Sequence, residues 1–214
     1  MNVIVGVMDR TGLAANTDIL VLVEPEAERL LWVPRDLWCP ARQDRINTAF
    51  RHGGHTELLA ALSEHGLIAR HSLILDRRAT EAALARARVL VPVPAPMIFD
   101  YPLAPTERIE DGRKTITFRP PAEVLSGERI HQWLGARGGS DLHRLERQKV
   151  FVRRLLEQGF DFRAFIANPP WYWCSDPAAL DTLARVRPAW RFETLASLTP
   201  VRMGEMDVLV RRAS

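Results

Sequence analysis

Apolar and polar positions along this chain follow two alternating periods. Short β-branched runs at 2–7 (NVIVGV), 18–25 (DILVLVEP) and 29–33 (RLLWV) predict three strands. The acidic EPEAE between the last two reads as a hairpin connection. Apolar residues at helical spacing in 55–66 (HTELLAALSEHG), stopped by Gly66, predict a helix. A strand at 71–76 (HSLILD) and a helix at 77–88 (RRATEAALARAR) follow. Alternating prolines in 89–99 (VLVPVPAPMIF) exclude a helix and suit only an edge strand or a loop. Residues 114–118 (KTITF) predict a strand, 121–135 (PAEVLSGERIHQWLG) are mostly helical in pattern, and 168–177 (NPPWYWCSDP) form a loop, with WYWC packed in it. A short helix and a strand near MDVLV complete the order. Strands alternating with helices predict an α/β fold, a central mixed sheet covered by helices on both faces.

One helix departs from simple patterning. In 140–158 (SDLHRLERQKVFVRRLLEQ), Asp141, Arg144 and Gln148 fall on the stripe that Leu145, Val152 and Leu155 continue. Its first turns therefore offer a carboxylate, a guanidinium and an amide to an interior that its later turns fill with hydrocarbon.

Composition narrows the function classes. The protein has 214 residues, 47% of them hydrophobic, enough to bury a sizeable core as one domain over 1–214. Its formal charge is +3, and Lys114 and Lys149 are its only lysines among 29 basic residues. Genomic base composition accounts for an arginine bias of this kind, and so does an anionic site. No basic stripe is interleaved with stacking aromatics, so nucleic acid is not the expected partner. Cys39 and Cys174 have no metal-ligand spacing, and no run of eighteen apolar residues occurs. His52 and His55 stand beside a Gly-Gly turn with no carboxylate at ligand spacing, and His131 and His143 are ordinary helix positions.

Three polar clusters fall at expected strand ends or helix starts, where α/β proteins keep their sites. PRD (34–36) closes the third strand and presents Arg35 and Asp36. DRINTAFRHGG (44–54) presents Arg45 and Asn47 ahead of a Gly-Gly turn. GARGGSD (135–141) sets Arg137 among glycines at a helix start, where backbone can approach an anion closely.

Taken in order, TDILVLVEPEAERLLWVPRDLW, DRINTAFRHGG and LSGERIHQWLGARGGSDLHRLERQKV resemble the LytR-CpsA-Psr family. The matching positions are Asp18, Arg35-Asp36, Arg45-Ile46-Asn47, Leu125 to Glu128, and an Asp-x-x-Arg-x-x-Arg-Gln formed by Asp141, Arg144, Arg147 and Gln148. The resemblance covers roughly residues 2–160. It leaves 161–214 as an extension packed on the same domain. It implies a phosphotransferase that moves a glycopolymer from a polyprenyl-pyrophosphate carrier to a cell-wall acceptor. Arg10, Arg35, Arg45, Arg137, Arg144 and Gln148 would bind the pyrophosphate, and an apolar tunnel would take the isoprenoid tail. Asp18 and Asp9 would hold Mg²⁺, while Asp36 or Asp141 would accept the proton of the attacking hydroxyl. Arginine suits the pyrophosphate because its rigid fork binds two oxygens at once.

Three departures from the family pattern bear on this. Met8 occupies the position of a usual Asp, with Asp9 one residue late; Asn16 and Gly135 replace usual arginines. A phospho-ligand-binding protein without turnover is therefore the alternative reading. The family's extracytoplasmic address is expected by resemblance, and a cytoplasmic one is the alternative because the sequence as given shows no anchor or export signal. Contact with a membrane is expected only through the lipid substrate, unless an anchor lies upstream.

Overall fold

The computed structural model describes residues 1–9, 15–77, 80, 84–102, 113–136, 141–160 and 172–211. Strands β1 (Val3–Met8), β2 (Thr17–Glu24), β3 (Arg29–Val33), β4 (Trp38–Cys39) and β5 (Asp44–Arg45) precede helix α1 (Ala49–Ser63). Then come β6 (His71–Leu75), β7 (Val89–Pro92), β8 (Met97–Pro102), β9 (Arg113–Phe118) and β10 (Ala122–Leu125). Helices α2 (Glu128–Gly135) and α3 (Asp141–Glu157) follow, then β11 (Tyr172–Cys174), α4 (Ala178–Leu183), β12 (Arg191–Thr194), β13 (Leu198–Met203) and β14 (Met206–Arg211). The protein divides into two compact units, Met1–Ala82 with Asp161–Ser214, and Ala83–Phe160.

The first unit is built on a six-stranded sheet ordered β11-β6-β1-β2-β3-β12. It is mixed, since β1–β6 and β3–β12 run parallel while β1–β2, β2–β3 and β6–β11 run antiparallel. The expected hairpin joins β2 to β3 through a 3-10 turn at Pro25–Ala27, closed by Glu28 in the left-handed region. Neighbouring residues that point to opposite faces are buried alike: Ile4 and Val3, Leu22 and Val23, Leu31 and Leu30, Ile74 and Leu73. One face packs on Leu58, Ala61 and Leu62 of α1. The segment after residue 171 supplies both outer strands of this sheet, because β11 joins β6 and β12 joins β3.

The second unit pairs β7 with β10 and β8 with β9, each as a two-stranded antiparallel ribbon. Its core gathers Val89, Val91, Phe99, Ile116, Phe118, Ile130, Trp133 and Phe151. The prolines of 89–99 behave as expected, with Pro92 ending a strand paired on one side only.

Three elements correct the sequence reading. The helix expected at 55–66 starts at Ala49, and Gly53-Gly54 is a break inside it; Gly54 takes φ 62°, open only to glycine at low cost. Residues 122–125, expected as helix, are strand β10, because their backbone pairs with β7 and Gly127 at φ 49° delays the helix to Glu128. Residues 172–174, expected as loop, pair with β6 and place Trp173 against the core. Of the helix expected at 77–88, positions 78, 79 and 81–83 lie outside the described residues.

Candidate functional site

In the first unit the polar residues of the second and third strands meet. Between β1 and β2 the register passes from Val7↔Ile19 to Met8↔Thr17, so Asp18 is the extra residue of a bulge. A bulge re-aims its side chain. The carboxylate of Asp18 accepts a hydrogen bond from Nη1 of Arg35, just past the end of β3. Nε of Arg35 stands 3.6 Å from Oδ1 of Asp36, and the same oxygen accepts from Nη1 of Arg45 at 2.9 Å. Asp18, Arg35, Asp36 and Arg45 thus form one row of alternating charge. The Arg35 side chain is 10% exposed and that of Arg45 26%, so the row opens outward at Arg45. Among the described residues Arg45 commits only Nη1 of its guanidinium, leaving donors for a ligand.

Backbone bonds hold this turn rigidly. Pro34 ends regular pairing, and Leu37 N closes a turn on Pro34 O. Asn47 N donates to Arg35 O at 3.2 Å and Leu209 N to Asp36 O at 2.9 Å. The buried Thr17 hydroxyl donates to Asn47 O at 3.2 Å, which ties the Arg35 turn to the strand bearing Asp18. Sequence reading did not assign Thr17; its only signal was its place beside Asp18.

The Met8 departure has a structural meaning. Met8 is 2% exposed within the core. Asp9 N donates to Asn16 O and Asp9 Oδ1 accepts from Asn16 N at 3.1 Å, so the carboxylate ties the end of β1 to the residue before β2. Among the described residues no three His, Cys, Asp or Glu side chains group as a metal site. The carboxylates of Asp18 and Asp9, expected to hold Mg²⁺, are engaged by Arg35 and by the backbone of Asn16.

In the second unit the polar stripe of 140–158 is real. Helix α3 buries Arg144, Leu145, Arg147, Gln148, Phe151, Leu155 and Leu156. Nη2 of Arg144 lies 2.8 Å from Oδ1 of Asp141, and the Arg144 side chain is 2% exposed. Gln148 donates from Nε2 to Leu134 O at 3.2 Å, while its buried Oε1 has no partner among the described residues. The motif's other arginine has a structural role. Arg147 donates to the carbonyls of Trp133 and Ala136, at the C-terminal end of α2, and stacks over Phe99. Burial, helped by the charge of Arg144 and opposed by Asp141, pulls its guanidinium down to about 10. Arg10 and Arg137 lie outside the described residues.

The remaining reactive groups are quiet. Cys39 Sγ is 3.7 Å from His65 Nε2, yet burial pushes the thiol up to about 12, so it is no nucleophile near neutral pH. His55 bonds Ser72, a residue wholly buried in the sheet. No helix among the described residues is long and apolar enough to cross a membrane.

No protein-family model and no curated protein matches the sequence. Solved structures do. TagV of Bacillus subtilis is 15% identical, with a TM-score of 0.68 over 99% of this chain and 91% of that one. TagT, solved with LIIa-WTA bound, is 14% identical with a TM-score of 0.67, covering 98% and 84%. A protein named as a transcription regulator from Eubacterium siraeum is 12% identical with a TM-score of 0.68, covering 99% and 86%. TagV and TagT belong to the LytR-CpsA-Psr enzymes, and this protein has the fold of a LytR-CpsA-Psr-like domain.

Proposed function

We propose that this protein is a cell-wall glycopolymer transferase that takes its glycan from a polyprenyl-pyrophosphate carrier. The observation that carries this reading is the braced charge row Asp18–Arg35–Asp36–Arg45, standing on the fold that TagT uses to hold LIIa-WTA. Fixed guanidinium forks suit phosphate oxygens better than mobile ammonium groups.

The charges of that row sum to zero, so further positive charge must come with the ligand or from elsewhere. The sequence resemblance offers Arg10, Arg137 and Arg144 for that part. Mg²⁺, held by Asp18 and Asp9 together with phosphate oxygens, would supply electrostatic stabilisation of the departing polyprenyl phosphate. In the reaction the acceptor hydroxyl oxygen bonds to the phosphorus that carries the glycan. The bridging P–O bond breaks, and its electron pair leaves with the polyprenyl phosphate. The hydroxyl proton passes to a carboxylate. Asp36 and Asp141, each with one oxygen already held by arginine, are the two candidates.

Titration with a short polyprenyl pyrophosphate tests the reading. Arg45→Ala should weaken binding roughly tenfold or more, the worth of a lost charge-assisted bond. Unchanged binding in Arg35→Lys and Arg45→Ala would refute it. The alternative, a carrier-binding protein without turnover, is favoured by the burial of Met8 and the engagement of Asp9 by the backbone of Asn16. Tight carrier binding with no transfer of labelled glycan to peptidoglycan, with Mg²⁺ present, would establish that alternative.

A further inference from the structure

The β7–β10 ribbon carries an outward face with no polar side chain on it. Along β7 burial alternates strictly, Val89 and Val91 inside, Leu90 and Pro92 outside. Their antiparallel partners Val124 and Ala122 are exposed as well, in the pairs Leu90↔Val124 and Pro92↔Ala122. Leu90 is 51% exposed and Val124 45%; past the Pro92–Ala122 end the next exposed residues are again apolar, Pro94, Ala95, Pro96, Pro120 and Pro121, and past the Leu90–Val124 end they are Arg88 and Ser126. Alternation that puts hydrocarbon on both faces of a two-stranded ribbon is not explained by the core beneath it.

We infer that this face docks on an anionic lipid surface. Charge complementarity points to such an occupant. Arg88 precedes β7 and Arg119 follows β9, both are exposed, and neither side chain has an ion-pair partner among the described residues. The one acidic residue of the ribbon, Glu123, is turned to its own side of the sheet, where Arg129 holds it through Nε at 3.0 Å. Apolar side chains flanked by arginines match the boundary between acyl tails and anionic headgroups. The prolines support the same occupant, because they carry no N–H that would lose water on entering that boundary. A protein partner would be expected to seat on aromatic anchors, and this face has none.

The test is co-sedimentation of the full-length protein with phosphatidylcholine vesicles, with and without phosphatidylglycerol. Binding should appear with phosphatidylglycerol and weaken with salt. Leu90→Ser with Val124→Ser should lower the partition coefficient about tenfold or more, while the thermal midpoint stays close to the parent because both positions are exposed. Arg88→Gln with Arg119→Gln should remove the preference for phosphatidylglycerol. Equal binding by the Leu90/Val124 double variant would overturn the inference. So would failure of the parent to bind, including the case in which it instead forms a dimer that the same double variant abolishes.

Discussion

Trp133 and Arg147 hold each other by reciprocal hydrogen bonds: Nε1 of the indole donates to Arg147 O at 2.9 Å, and Nε of the guanidinium donates to Trp133 O at 3.1 Å. The pair welds α2 to α3 and satisfies carbonyls that the end of α2 would otherwise leave open. Arg147→Met should therefore destabilise the fold by about 2–4 kcal/mol, the scale of several buried bonds lost together. Binding of a polyprenyl pyrophosphate, measured well below the melting range, should not change. A variant with normal stability and weak binding would move Arg147 from scaffold to ligand.

Arg144, one turn earlier, makes a different forecast. Arg144→Lys keeps the charge and loses the fork, so it should weaken pyrophosphate binding. Its 2% exposure beside Asp141 adds a stability loss of about 1–3 kcal/mol. Leu145→Ala should cost roughly 2–5 kcal/mol of stability with binding preserved. Melts and titrations on both variants separate the roles. Normal binding by a destabilised Arg144→Lys would leave the Asp141–Arg144 pair a structural one.

Of the two positions where arginine is missing, Gly135 has room for a side chain. Among the described residues a Cβ at Gly135 meets only the Tyr101 hydroxyl, at 3.5 Å, an ordinary contact. At Asn16 the buried Oδ1 has no partner among the described residues, so losing the amide sacrifices no bond to that oxygen. Asn16→Arg and Gly135→Arg should each raise carrier affinity, read by calorimetry. Affinity unchanged in both would show that these positions do not face the ligand.

Acid should weaken the fold through two histidines. Burial lowers His55 and, opposed by Glu64 and helped by Arg211, His65 below the ordinary 6.5. The unfolded protein then takes up protons first as pH falls. Stability from these sites is complete above 6.5 and is lost through the window between 6.5 and the lowered folded values. Urea midpoints should drop as pH falls below 6.5, and less steeply in His55→Asn, which retains a donor toward Ser72. Identical slopes in the parent and the variant would exclude His55 as a contributor.

Local pattern determined much of this protein. The β-branched runs became β1, β2, β3 and β6 at nearly their expected bounds, and the prolines of 89–99 held their strands to ribbon edges. Helix 140–158 was legible with its polar stripe, because 3.6-residue spacing depends on nothing beyond the helix itself. What depended on distant partners was not legible. Residues 122–125 and 172–174 became strands only because β7 and β6 offered them backbone bonds. The same limit held for the site. Arg144 and Arg147 look alike in the motif, yet one faces a carboxylate and the other a row of carbonyls. Asp18 reaches Arg35 through a bulge that no spacing announces, while Asp9, in a similar sequence setting, accepts from the backbone of Asn16. Residue type sets what a side chain can bond, and only the folded backbone decides which partner comes within about 3 Å of it.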